Sequence, residues 1–152
     1  MKITVIGPGA IGLVLAGSLD SKNQVSVLTK PEAFEKLKQH GIWIKERNKK
    51  RKINAKIITE IDDSEIVIIA VKGYDLNTAV NLLHNFKGKV IICQNGLKML
   101  NLNLEHNNNI YSIVTSMGAI STNSGVTEFK GTGRTVIAVS YTHLTLPTTS
   151  TV

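Results

Sequence analysis

Ile66-Val67-Ile68-Ile69-Ala70-Val71 decides the fold class. These consecutive apolar residues, most of them β-branched, are too few for a core helix. They fit a strand buried on both faces, as in a parallel sheet. Working outward, Lys89-Val90-Ile91-Ile92-Cys93 and Ile110-Tyr111-Ser112-Ile113-Val114 repeat the pattern, and Asp75 to Leu83, between the first run and Lys89, reads as a helix. Toward the amino end, Lys2 to Ile6 is a short apolar run followed at once by Gly7, Leu13 to Leu19 reads as a helix, and Val25-Ser26-Val27-Leu28 as a second strand. Glu32 to His40 has helical spacing, with Gly41 as its stop. Ile42 to Ile58 reads as two strands around a charged turn. Strand, helix and strand in alternation predict an α/β, Rossmann-type doubly wound and mostly parallel sheet with right-handed crossovers.

The chain has 152 residues, 42% hydrophobic and 19% charged, which predicts a folded domain rather than a disordered segment. No apolar run approaches the ~20 residues needed to span a bilayer, so no membrane partner is expected. The strand-like start leaves no room for a signal peptide, and the single cysteine, Cys93, excludes an internal disulfide. A cytoplasmic location is expected. The net charge of +7 is concentrated in Lys45-Glu46-Arg47-Asn48-Lys49-Lys50-Arg51-Lys52. Clustered cations suit phosphates, but no base-stacking aromatics interleave here. A solvated hairpin tip is the favoured reading, with no nucleic-acid partner.

Gly7-Pro8-Gly9-Ala10-Ile11-Gly12 is a G-x-G-x-x-G run that follows a strand and opens a helix. That context is what dinucleotide binding requires: a tight turn at Gly7, close backbone approach to a pyrophosphate at Gly9, and close helix packing at Gly12. The helix amino terminus supplies unpaired N–H donors and positive potential. After the second strand the sequence reads Leu28-Thr29-Lys30-Pro31-Glu32. Lys30 stands where a cation would pair with the 2′-phosphate of NADP(H), while Glu32 leaves NAD open.

The glycine run, Ala70-Val71-Lys72, Gln94-Asn95-Gly96-Leu97, Gly118-Ala119 and Gly131-Thr132-Gly133 occur in the order and approximate spacing of ketopantoate reductases, which this chain resembles over nearly all of residues 1–137. The resemblance implies NADPH-dependent reduction of 2-dehydropantoate to (R)-pantoate, on the route to pantothenate and coenzyme A. It implies that Gly7, Pro8, Gly9, Ala10, Ile11 and Gly12 cradle the pyrophosphate and that Lys30 replaces an arginine at the 2′-phosphate. By the same resemblance Lys72 contacts the cofactor, Asn95 serves both nicotinamide and substrate, and Ala119 offers a backbone contact. The family's proton-donor lysine belongs to a helical carboxy-terminal domain absent from this sequence, so no catalytic residue is assigned and the fragment alone is expected to be inactive. A homodimer is compatible with the resemblance. The alternatives are another NADP-dependent 2-oxoacid or hydroxyacid reductase of the same architecture, and a non-catalytic dinucleotide-binding or nucleic-acid-binding module.

Cys93 reads as core, Trp43 as hairpin packing, and His40, His84 and His106 have no metal-ligand spacing. Beyond Ile137 the pattern breaks. From Val139 onward there is no Asp, Glu, Lys or Arg, and Val139-Ser140-Tyr141-Thr142-His143-Leu144-Thr145-Leu146-Pro147-Thr148 spells the translation of a transposon-end sequencing adapter. Residues 1–137 are therefore expected to be a cofactor-binding domain, incomplete at its carboxyl end, and residues 138–152 a non-native tail.

Overall fold

The computed structural model describes residues 1–95, 109–122, 125–139 and 149–151. Strand β1 (Lys2–Ile6) lies inside the main sheet, with Ile3, Val5 and Ile6 each at most 3% exposed. Helix α1 (Ala10–Leu19) returns the chain to β2 (Gln24–Leu28), which lies parallel to β1 with Val5 opposite Val27. Helix α2 (Pro31–His40) follows, buries Leu37 and closes at Gly41, the stop expected from the sequence.

The segment from Ile42 to Ile58 differs from expectation. It forms three strands, β3 (Trp43–Glu46), β4 (Lys49–Lys52) and β5 (Ala55–Ile58). The basic run is thus largely strand, and the reversal is confined to Arg47-Asn48, with Arg47 at φ 52°. All of β4 is exposed, and charged side chains let such an edge strand face water without pairing further. Ile53, 1% exposed, turns inward, and β5 leaves the hairpin to pair in parallel with β2.

On the other side of β1 lie β6 (Ile66–Ile69), β7 (Lys89–Cys93) and β8 (Ile110–Thr115), all parallel. The turn Gly73–Asp75 (3-10) and helix α3 (Leu76–Asn81) connect β6 to β7, a shorter helix than the one expected to reach Leu83. Strand β9 (Gly118–Thr122), β10 (Val126–Gly131), β11 (Thr135–Val139) and β12 (Thr149–Thr151) complete the set. The main sheet has the order β12-β11-β8-β7-β6-β1-β2-β5, with the β12–β11 and β11–β8 pairings antiparallel and the rest parallel, and β4-β3-β10-β9 form a second sheet. The ladder of β11 on β8 passes Ile137 and reaches Val139 opposite Tyr111. Residues 140–148 and 152 of the expected tail lie outside the described residues.

Period-two alternation sends side chains to opposite faces of the main sheet. Ile3, Val5, Val25, Val27 and Ile68 join Leu13, Ala16 and Leu37 in one core; Val67, Ile69, Val90 and Ile92 join Leu76, Ala79 and Leu83 in the other. Helix α1 has no charged residue and exposes only Ser18, and it lies between the main sheet and β3, β9 and β10 of the second. Thr127 of β10, fully buried, donates its hydroxyl to the Ala10 carbonyl at 3.1 Å and so ties the second sheet to the first turn of α1. No helix among the described residues is long and apolar enough to cross a membrane.

Candidate functional site

The chain leaves β1 for β2 on one side, whereas β6, β7 and β8 lie on the other, so the winding reverses beside β1. Open α/β sheets form their ligand crevice at the carboxyl ends of strands at such a point. The residues singled out by sequence leave the strands at this edge in spatial order. Lys30 follows β2, the glycine turn follows β1, Lys72 follows β6 and Asn95 follows β7. Three strand spacings separate the first from the last, about 14 Å.

The glycines of the turn answer to different causes. Gly7 has φ 104°, and a Cβ there would lie 2.8 Å from the Ala70 carbonyl oxygen and 2.9 Å from Val71. Its N–H donates to the Leu28 carbonyl at 3.1 Å, locking the turn to β2. A Cβ on Gly12 would lie 2.0 Å from the Gly7 carbonyl oxygen, so only glycine lets α1 start against the turn. Gly9 is the exception. Its backbone, φ −76° and ψ −178°, suits any residue, and among the described residues nothing lies within 4 Å of where its Cβ would be. Among the described residues no contact accounts for the missing side chain. Gly9 is the N-cap of α1, which has neither a capping side chain nor an acid in its first turn. The Ala10, Ile11 and Gly12 N–H groups, the first of the helix, therefore have no partner within it. Pro8, between the two glycines, has no N–H to spend. This cradle of bare backbone, with unspent donors at a helix terminus, fits a pyrophosphate.

Lys30, the N-cap of α2, is exposed, and its ammonium pairs with the Asp75 carboxylate at 3.2 Å. Lys72 is exposed in extended backbone just before the 3-10 turn, and no hydrogen bond or ion pair engages its ammonium among the described residues. Gln94 donates its side-chain amide to the Val71 carbonyl, joining the ends of β7 and β6. The Asn95 side chain donates to the Thr115 carbonyl at 3.0 Å and accepts the Thr115 N–H at 3.3 Å, joining the ends of β7 and β8. Such a two-way amide link is more than the local turn-former role that Asn-Gly invites. Gly96 and Leu97 lie outside the described residues. Ala119 stands apart from this edge, in β9 of the second sheet opposite Phe129; β9 itself packs on α1. Gly133 packs against Ser116, where a Cβ would strike the backbone, and thereby holds the turn beyond β8.

Cys93 is a buried core thiol, and burial pushes its pKa up, away from the reactive thiolate. His40 bonds the Lys36 carbonyl, His84 is exposed, and His106 and His143 lie outside the described residues. No three potential metal ligands cluster among the described residues. The basic hairpin folds back on the chain: Arg51 pairs with the buried Asp20 at 2.9 Å, and Lys50 lies 5.0 Å from the Trp43 ring centre, which also gives Trp43 the packing role expected of it. A separate polar cavity, lined by Lys2, Gln24, Ser26, Lys56 and Asp62, opens at the amino ends of the strands, remote from the glycine turn.

Sequence reasoning missed Asp75, placed only at a helix start, and Thr127. Their partners lie 45 and 117 residues away, and no spacing rule reaches that far. Gln94 was seen only as part of a motif.

The ketopantoate reductase PanE/ApbA model matches residues 3–140. A 2-dehydropantoate 2-reductase of Pyrococcus horikoshii is 28% identical over 144 residues, 91% of this chain and 48% of the relative. Among solved structures, a probable 2-dehydropantoate 2-reductase of Bacillus subtilis superposes with TM-score 0.77 at 23% identity, over 86% of this chain and 47% of that one. The ternary complex of D-mandelate dehydrogenase with NADH and anilino(oxo)acetate gives TM-score 0.74 at 22% identity, over 89% and 47%. The chain spans 35% to 48% of the length of the curated relatives it matches. The fold, the glycine cradle at the switch point and a family match across most of the sequence converge: this chain belongs to the ketopantoate reductase family.

Proposed function

We propose that the chain is the dinucleotide-binding half of an NADPH-dependent reductase that converts 2-dehydropantoate to (R)-pantoate. The observation that carries the proposal is Gly9, an N-cap with open space in front of it and no contact among the described residues that forbids a side chain. Family membership and the 2-dehydropantoate 2-reductase relatives support the substrate class.

In this reading the first-turn N–H groups of α1 hold the pyrophosphate, Lys30 meets the 2′-phosphate as a point charge, and Lys72 lends a cation to the middle of the edge. The bound nicotinamide supplies the hydride. Asn95 is held by its pair of bonds to Thr115. A primary amide has two N–H donors and two lone pairs, so one of each is left to orient the nicotinamide or the substrate. Ala119 contributes backbone from β9 beside α1. The proton for the nascent alkoxide comes from a residue outside this sequence, so the chain binds the coenzyme without turnover. Residues 138–152 enter the proposal as a foreign tail; ending the chain after Val139 then leaves coenzyme binding unchanged.

The test is a titration of the 152-residue chain with NADPH, followed by an absorbance assay with 2-dehydropantoate. Saturable binding without NADPH oxidation is expected, with oxidation only in a polypeptide extended by the carboxy-terminal half of a family member. Oxidation by the 152 residues alone would overturn the division of labour.

A further inference from the structure

The ion pair between Lys30 and Asp75 points beyond the general reading, although it rests on the proposal that a dinucleotide occupies this edge. Lys30 follows β2 and Asp75 follows β6, the two strands that flank β1. Their 3.2 Å contact therefore arches over the carboxyl end of β1, where the glycine turn begins. Asp75 stands at the N-cap of α3 yet makes no capping hydrogen bond; its carboxylate turns to Lys30 instead. Helix capping does not explain the acid. The end of β2, Leu28-Thr29-Lys30, carries no acid of its own in the place where an NAD site uses one for the ribose hydroxyls.

We infer that Asp75 is the coenzyme-selectivity determinant of this chain, opposing the 2′-phosphate that Lys30 attracts and offering an acceptor to an unphosphorylated ribose. A phosphate oxygen in charge-assisted contact with the Lys30 ammonium sits about 2.8 Å from it. While the ion pair holds at 3.2 Å, that oxygen lies within about 6 Å of the Asp75 carboxylate. At that distance, even in water, one negative charge weakens binding of a dianionic phosphate by about tenfold. A ribose hydroxyl suffers no such repulsion and gains a carboxylate acceptor. The same crevice thus accepts NADPH and NADH with compressed discrimination.

The experiment is a fluorescence titration of the full chain with NADPH and with NADH, for wild type, Asp75→Asn, Asp75→Glu and Lys30→Ala, each checked for folding by circular dichroism. Asp75→Asn is expected to shift the ratio of the two affinities about tenfold toward NADPH, Asp75→Glu to stay near wild type, and Lys30→Ala to lose NADPH selectively. If Asp75→Asn fails to fold, Asp75→Ser gives the same readout, because serine satisfies the helix start without charge. A wild type that binds both coenzymes while the Asp75 variants leave the ratio unchanged overturns the inference and leaves the dinucleotide reading standing. A folded wild type that binds neither overturns both.

Discussion

Replacing Gly9 and Gly12 separately by alanine should divide binding from folding. At Gly12 a methyl would lie 2.0 Å from the Gly7 carbonyl oxygen, against an ordinary contact of at least 3.4 Å. The obstacle is backbone in a turn held by the Gly7 N–H on Leu28, so α1 itself has to shift. Overpacking of this kind costs about 1–3 kcal/mol or somewhat more, offset by about 1 kcal/mol because alanine is the better helix former. The overlap here is with backbone, so the upper end of that range applies, and a net loss of about 2 kcal/mol lowers Tm by roughly 4–8 °C for a chain of this size. At Gly9 the methyl meets nothing within 4 Å, and the backbone suits alanine. Only a modest N-cap preference is lost, at most about 1 kcal/mol. The same methyl stands where the pyrophosphate has to approach, and NADPH affinity should fall by about tenfold or more, a loss of roughly 1.4 kcal/mol. Thermal melts and NADPH titrations of both variants check this. Gly12→Ala as stable as wild type, or Gly9→Ala binding as tightly as wild type, would refute the division of roles.

Other consequences are independent of that pair. Asn95→Ala removes the partner of the Thr115 N–H and carbonyl, and should destabilise the fold by about 1–3 kcal/mol in a denaturant melt. Burial pushes the Asp62 carboxyl up, but hydrogen bonds from Ser64, Ser26 and Thr4 and the charge of Lys56 outweigh it and hold it below 3.8. A lowered folded value means the unfolded chain binds more protons, so this contribution is complete above the ordinary carboxylate range and drains away as pH falls through the folded value. Urea melts between pH 6 and about pH 3 should show it, with a shallower decline in Asp62→Asn. Cys93, buried and with a raised pKa, should react slowly with a thiol reagent at neutral pH in the native protein and rapidly in urea.

The parallel core was legible because uninterrupted apolar runs such as Ile66–Ile69 have one cheap home, a strand buried on both faces. The glycine cradle was legible because its demands are local: a turn, a bare N-cap and a tight helix start fall within six residues. The path of residues 42–58 was not, because Lys49–Lys52 has no periodicity to mark it as a strand and becomes one by pairing with β3. Nor was the second sheet, in which β10 lies parallel to β3 across more than 80 intervening residues, Trp43 opposite Val126. The Lys30–Asp75 contact belongs to the same class: each residue is unremarkable in its own segment, and only the strand order brings them together.

The central claim is that the carboxyl edge around Gly9 holds a nicotinamide dinucleotide, and calorimetric titration of the 152-residue chain with NADPH, beside its Gly9→Ala variant, tests it most directly. The account predicts one saturable site in the wild type and at least about a tenfold loss in the variant, with both folded. A folded wild type that takes up no NADPH, or a variant that binds it undiminished, would contradict it.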